Sequence, residues 1–302
     1  MISKEIIKKI IPLSIQKKRW EYQAKIRENK ENVPLKREII KYLKNNVIED
    51  EMKEVYNFLK KNPFSIFPYN FIKKYKHNAV MVYTDDDCDM KYILHEGKRL
   101  YFKHELKEYE IKMYYNGLQL EQDIDSPHRY EYGNFKVENG DIVVDIGTAE
   151  GNFALSTVEH AKKLYLFEAD KSWIFALEKT FAPWKDKVVI INKYALDSSS
   201  DTTVCLDDYF KEIEINFMKI DVEGAEIKVL NGGEKLLSNQ KNIKIAVCTY
   251  HRQNDAEEIS KMLKANSFVT EFSRGYMLFK LDSEFTVPYL RRGLLRAVKA
   301  DF

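Results

Sequence analysis

From residue 141 onward, short continuous apolar runs alternate with helix-patterned stretches, and this alternation limits the fold more than any other feature of the chain. The runs are DIVVDIG (141–147), KLYLFEA (163–169), KVVIINKY (187–194), INFMKID (215–221) and IKIAVCTY (243–250). Helical spacing of apolar residues fills 150–161, 172–182, 224–238 and 254–265 between and after them. Val/Ile-rich strands separated by helices are apolar on both faces because helices cover both sides of a parallel sheet. A final pair, SFVTEF (267–272) and GYMLFK (275–280), has too short a link for a crossover, so it is expected to pair antiparallel. The expected fold class is therefore α/β: a mostly parallel sheet ending in an antiparallel hairpin.

The remainder divides by composition. Residues 1–61 are Lys/Glu-rich with three- and four-residue apolar spacing, which predicts a helical N-terminal segment. The cluster NPFSIFPYNF (62–71) ends it, and the runs AVMVY, MKYIL and KRLYF followed by helical spacing over 104–120 predict a small α+β cap or substrate region at 62–138. Residues 139–302 form the main domain. In the first twenty residues Ile2, Ile6, Ile7 and Ile10 share a helical face with lysines opposite. Such a segment either packs on its own domain or rests on an anionic membrane surface.

Charge and cysteine content exclude several classes. A net charge of +2 gives no global reason to expect a nucleic-acid partner. Cys88, Cys205 and Cys248 are odd in number and far apart, so neither a disulfide framework nor a zinc site is indicated, and a cytoplasmic setting is expected. No run approaches the ~20 apolar residues of a membrane span.

Four elements carry candidate chemistry. VVDIGTAEGNF (143–153) runs from a buried strand through Asp145 and Gly147 into a helix near Gly151. Its D-x-G-x-x-x-G spacing differs from a dinucleotide G-x-G-x-x-G loop, and the Glu150 carboxylate would repel a pyrophosphate while suiting an ammonium or sulfonium. Glu168, at the end of the next strand, can accept both hydrogen bonds of a ribose diol; Asp170 is its rival. In NFMKIDVEGAEIKVLNGG (216–233), Lys219, Asp221 and Glu223 gather at a strand's carboxyl end, and Glu226 reads as a helix first-turn acid. In TYHRQND (249–255), His251 is a general-base candidate, while Asp255 and Glu257 read as helix-capping acids. SPHRYEYGNF (126–135) forms an ordered lead-in from which His128 and Arg129 either reach the active edge or pack structurally.

Taken together, VVDIGTAEGNFAL, FEAD, CLDDYF, FMKIDVEGAEIKVLNGG, YHRQNDAEEI and RGYMLF resemble the FkbM-type methyltransferase family over about residues 121–280. The resemblance implies a class I, Rossmann-like methyltransferase fold of seven strands and S-adenosylmethionine as cofactor. It implies a cofactor set of Asp145, Gly147, Thr148, Glu150, Gly151, Asn152, Phe153, Glu168, Ala169 and Asp221. Asp221 and Glu223 would sit beside the transferred methyl, and with His251 they are the catalytic candidates. Thr148-Ala149-Glu150 departs from the A-N-x of many relatives. The implied activity is O-methylation of a sugar or glycan-type hydroxyl; the residues themselves suggest in-line displacement with His251 or Asp221 as base. A divalent metal is not indicated; if one is held, Asp221, Glu223 and His251 are its ligands. The rival readings are a non-catalytic scaffold on the same fold, a methyltransferase acting on RNA or protein, and a nicotinamide oxidoreductase, which the loop spacing and Glu150 disfavour.

Overall fold

A computed structural model describes residues 32–280 and 285–299. The basic amphipathic segment at 1–20 lies outside the described residues. The chain divides into two compact units, residues 1–68 and 69–302. In the first, residues 32–46 are helical (α1), and α2 (Asp50–Lys61) buries Met52, Val55, Phe58 and Leu59 along one stripe. Its acids sit in the first turn and Lys60 and Lys61 in the last, as the helix dipole favours. Among the described residues no helix is long and apolar enough to cross a membrane.

The second unit opens with a three-stranded antiparallel sheet of β1 (Tyr83–Asp85), β2 (Met90–His95) and β3 (Lys98–Tyr101). Glu96 and Gly97, both at positive φ, make the two-residue turn between β2 and β3, which matches the twist of the strands they join. Helix α3 (Glu108–Glu121) follows, with Ile111 its buried residue.

The main sheet has seven strands: β4 (Ile142–Ile146), β5 (Lys163–Phe167), β6 (Val188–Ile191), β9 (Phe217–Ile220), β10 (Ile243–Cys248), β11 (Val269–Phe272) and β12 (Leu294–Lys299). Their spatial order is β11-β12-β10-β9-β4-β5-β6. The pairings from β6 to β10 are parallel, and β12 runs antiparallel to both of its neighbours. This is the expected mostly parallel, seven-stranded α/β sheet with an antiparallel pair at its end. Helices α4 (Asn152–Thr157), α5 (Lys171–Phe181), α7 (Glu226–Asn231), α8 (Glu234–Asn239) and α9 (Asp255–Ala265) connect it, with the four-residue α6 (Leu206–Tyr209) before β9. A short parallel pair, β7 (Tyr194–Leu196) with β8 (Thr203–Cys205), has no counterpart in the sequence reading.

Two expectations are corrected. The antiparallel partner of β11 is β12, not 275–280, which contributes only the bridge between Met277 and Arg291. β12 lies inside the sheet, and Leu294, Leu295 and Ala297 are wholly buried there; Arg296 interrupts the run and hides its strand character in the sequence. The helix expected over 224–238 breaks at Gly232-Gly233. A Cβ on Gly232 would lie 2.1 Å from the Leu196 carbonyl oxygen, so the chain passes that point only as glycine. Leu295 packs in the cluster of Val144, Ile146, Met218, Ile220 and Val247 on one face of the sheet. Leu295→Ala should cost about 2–5 kcal/mol in urea unfolding at a distance of 15 or more residues from the hairpin first expected; a loss under ~1 kcal/mol would place 294–299 outside the core.

Candidate active site

The carboxyl ends of β4, β5, β9 and β10 open onto one cavity of ≈ 810 Å³, which α3 also lines. An open α/β sheet binds ligands at this edge. Gly147, Thr148, Glu150, Asn152, Glu168, Ala169, Asp221 and Glu223 of the expected site reach it; Asp145, Gly151, Phe153 and His251 do not.

The strand-to-helix loop owes its glycines to its neighbours in the fold. Gly147 has φ +78°, and a Cβ on it would lie 1.8 Å from the Asp221 carbonyl oxygen. The Gly147 and Thr148 amides both donate to the Phe167 carbonyl, at 3.0 and 3.1 Å. Gly151, the left-handed N-cap of α4, would drive a Cβ to 2.9 Å from the Phe181 ring. Beneath the loop, Asp145 and Lys219 face each other in the β4–β9 register, with Nζ 3.0 Å from Oδ1 and both side chains buried. Lys219 also donates to the Gly147 carbonyl at 2.6 Å. Burial disfavours the ammonium, but the charges of Asp145 and Asp221 outweigh it and hold the lysine above its ordinary range. Asp145 thus fixes the loop through Lys219. Phe153 packs between Tyr130 and Phe217, with centroids 5.5 and 5.6 Å away.

Glu168 is pinned from two sides: the Ala149 amide donates to Oε2 and the Asp170 amide to Oε1, each at 2.7 Å. Each carboxylate oxygen keeps a further lone pair for a ligand. Its rival Asp170 caps α5, accepting from the Ser172 amide at 2.9 Å, and pairs with Lys103 at 2.5 Å. The Lys103 and Ser172 bonds hold that carboxyl down to about 2. Glu150 is buried beside the loop and accepts from the Tyr114 hydroxyl at 2.9 Å; burial pushes its carboxyl up to about 7, against the pull of its hydrogen bonds.

Asp221 is the hub of the opposite wall. Tyr130 donates to its Oδ2 at 2.8 Å, His128 Nε2 lies 3.6 Å from the same oxygen, and His251 Nε2 lies 3.6 Å from Oδ1. Burial pushes its carboxyl up, but the His128 ring beside it and the charges of Lys219 and His251 prevail and keep it well below the usual carboxylate range. His251 is buried against Tyr250 and Phe279, with centroids 4.1 and 5.5 Å away. Its Nδ1 is 2.9 Å from Glu226 Oε1, an ion-pair contact whose angle falls short of a good hydrogen bond. Burial lowers its pKa, yet Glu226, Asp221 and Glu223 together raise it to about 9. At neutral pH the ring is therefore an imidazolium, and it has no free lone pair with which to take a proton. Glu223, 3.6 Å from His251 Nε2, is 87% exposed at the rim.

Glu226 stands in the first turn of α7, as the sequence predicts, but it does more than complement the helix dipole. It is completely buried and accepts from the Val222 and Gly224 amides at 3.0 and 3.4 Å, folding back the turn in which Glu223 and Gly224 have positive φ. Ligand atoms of Asp221, Glu226 and His251 lie within 4.8 Å of one another, so Glu226 rather than the exposed Glu223 completes the tightest ligand-like cluster around His251. Of the lead-in residues, His128 joins the Asp221 cluster, whereas Arg129 spends its guanidinium on the Gln122 and Glu131 carbonyls. Tyr114, Glu121, Tyr130 and Tyr250 also line the cavity and were not singled out from the sequence. Tyr130 stands inside the SPHRYEYG lead-in, the one place where a signal for it existed.

The family model described as the methyltransferase FkbM domain matches residues 127–276. A search of curated proteins finds no match. Among solved structures, a methyltransferase FkbM from Methylobacillus flagellatus KT aligns at 16% identity and TM-score 0.44, covering 63% of this chain and 53% of that one. This chain therefore spans about half the length of that structure. The N-methyltransferase NodS from Bradyrhizobium japonicum WM9, in complex with S-adenosyl-L-homocysteine, aligns at 11% identity and TM-score 0.39, covering 64% and 88%. An rRNA methylase from Streptococcus thermophilus aligns at 17% identity and TM-score 0.37, covering 54% and 89%.

Removing one partner of the Asp145–Lys219 pair leaves a buried charge alone, so Lys219→Met should cost about 3–5 kcal/mol in chemical denaturation. Asp145→Leu in the same chain should restore much of that loss; a double variant as unstable as the single would show that the pair does not act as a unit.

Proposed function

With residues 127–276 forming an FkbM methyltransferase domain, we propose that the chain is an S-adenosylmethionine-dependent methyltransferase acting on a hydroxyl of a sugar-type acceptor. The observation that carries this reading is Glu168, a carboxylate fixed by two amides at the cavity wall with lone pairs to spare for a ribose diol. Glu150 supports a cationic rather than a pyrophosphate-bearing ligand, because a buried carboxylate stands where a dinucleotide loop admits phosphate. The bound cofactor supplies a methyl group on a positively charged sulfur.

In this reading the cavity would hold the acceptor oxygen in line with that methyl group. Most of the acceleration comes from alignment and exclusion of water. Asp221 faces the cavity as a carboxylate held by Tyr130, His128 and His251. With its pKa held low it is too weak to deprotonate a free hydroxyl, but it can orient one as a hydrogen-bond acceptor. Once the oxygen is alkylated the proton becomes strongly acidic, and a weak base then suffices to remove it. His251, protonated and out of reach of the cavity, acts in this scheme as the positive support of Asp221, not as the base.

Calorimetric titration tests the assignment. S-Adenosylmethionine and S-adenosylhomocysteine should bind with micromolar affinity and NAD should not, and Glu168→Ala should weaken both sulfur ligands by tenfold or more. Absence of binding by either sulfur ligand would sink the methyltransferase reading in favour of a scaffold on the same fold.

Glu150 gives this binding a pH dependence. Its carboxyl is raised to about 7 by burial, so it is largely protonated at pH 6 and ionised at pH 8. A cationic ligand favours the ionised form, and affinity for S-adenosylmethionine should rise several-fold between pH 6 and 8. The unliganded fold binds this proton more tightly than the unfolded chain, so the Glu150 contribution to stability falls as pH rises from about 4.5 through 7. A Glu150→Gln variant should bind with a flat profile; an unchanged slope would assign the titration elsewhere.

A further inference from the structure

Helix α3 turns one face to the cavity: Tyr109, Met113, Gly117 and Glu121 recur at four-residue spacing, with Tyr114 and Leu118 beside them. Gly117 sits in the middle of that helix, where glycine costs roughly 0.5–1 kcal/mol relative to alanine. Nothing in the backbone or packing asks for it, since its φ is not positive and a Cβ there meets no atom within 4 Å. What the missing side chain provides is open space in the cavity. Around that space Tyr109, Met113 and Tyr114 remain 37%, 44% and 37% exposed, and Tyr194 of β7, also on the lining, 60%.

The lining is strongly acidic. Glu110, Glu121, Glu150, Glu168, Asp221 and Glu223 face it, against Lys193 and Lys219 and no arginine. Lys219 is already committed to Asp145, and Lys193 donates to the Ser200 carbonyl at 2.9 Å. Among the described residues no lysine or arginine lies within 4 Å of any of the six carboxylates; the basic side chains near them are His128 and His251, both 3.6 Å from Asp221, and His251 again 3.6 Å from Glu223. S-Adenosylmethionine, with two cationic centres and one carboxylate, would offset a single negative charge. Phosphate sites are built from arginine forks and lysines; this wall has no arginine, and its two lysines already hold partners.

Building on the methyltransferase reading, we infer that the α3 face around Gly117 is the acceptor's seat and that the acceptor is a sugar-like polyol bearing an amine and no phosphate. The exposed tyrosine rings suit the C–H face of a sugar and the approach of an ammonium. Carboxylates such as Glu121 accept from hydroxyls and from an ammonium alike. A phosphorylated or nucleotide-linked sugar would bring like charge against like, a juxtaposition that costs several kcal/mol.

The test uses the full chain saturated with S-adenosylhomocysteine and three probes, D-glucosamine, D-glucose and UDP-glucose, followed by saturation-transfer NMR at low and physiological salt. Glucosamine should bind at least several-fold more tightly than glucose and weaken as salt rises, while UDP-glucose should not bind. Glu121→Gln should weaken glucosamine at least threefold. Gly117→Phe should abolish glucosamine binding and leave the S-adenosylhomocysteine affinity within about twofold; should that variant fold poorly, Glu121→Gln carries the test alone. UDP-glucose binding as well as glucosamine, or glucosamine binding untouched by both substitutions, would overturn this inference while leaving the cofactor assignment standing. Failure of S-adenosylhomocysteine to bind the wild-type chain would instead overturn the methyltransferase reading itself.

Discussion

The site depends on a buried ion pair that crosses two adjacent strands. Asp145 of β4 and Lys219 of β9 are register partners, both out of water, and the lysine's spare hydrogen bond holds the Gly147 carbonyl. The same two strands meet again one step further on, where Gly147 lets the Asp221 carbonyl approach closer than any side chain would permit. The glycine loop and the Asp221 carboxylate are therefore positioned by the same pair of strands. A buried pair is weak evidence of net stability, because desolvation consumes much of the Coulomb gain. Its use here is geometric.

The second organising feature is charge. Asp221 stays ionised although half-buried because His128, Lys219 and His251 surround it, and His251 stays protonated because Glu226 lies behind it. The positive charge is spent inside the wall, which leaves the cavity itself facing carboxylates. One arrangement thus stabilises the Asp221 anion and sets the charge of the cavity.

Much of this was legible in the sequence, and the exceptions share a cause. The strand–helix alternation gave the parallel sheet because both-face burial leaves a local signature. Glu168 could be placed because its distance from the glycine loop is fixed by one strand–helix–strand unit. Glu226 is the first-turn acid the sequence indicates, but its burial is not legible there, because such an acid has the same appearance whether it faces solvent or folds back onto its own loop. Only the positive-φ turn at Glu223-Gly224 buries it, and that turn is tertiary. His251 was placed at the right strand end, but its protonation depends on three acids brought together by folding. Strand β12 was missed because six residues broken by an arginine give too short a pattern to stand out.

The position of β12 also constrains how the protein can be made. Emerging from the ribosome after β11, it must lie between β11 and β10. Until it arrives, the nascent chain carries a wholly buried-type strand, β10, as an unprotected edge, with β11 unable to dock anywhere in the sheet. Such edges invite pairing with other chains. The main sheet therefore closes only once β12 arrives, and a chain stalled before residue 294 would present an aggregation-prone platform.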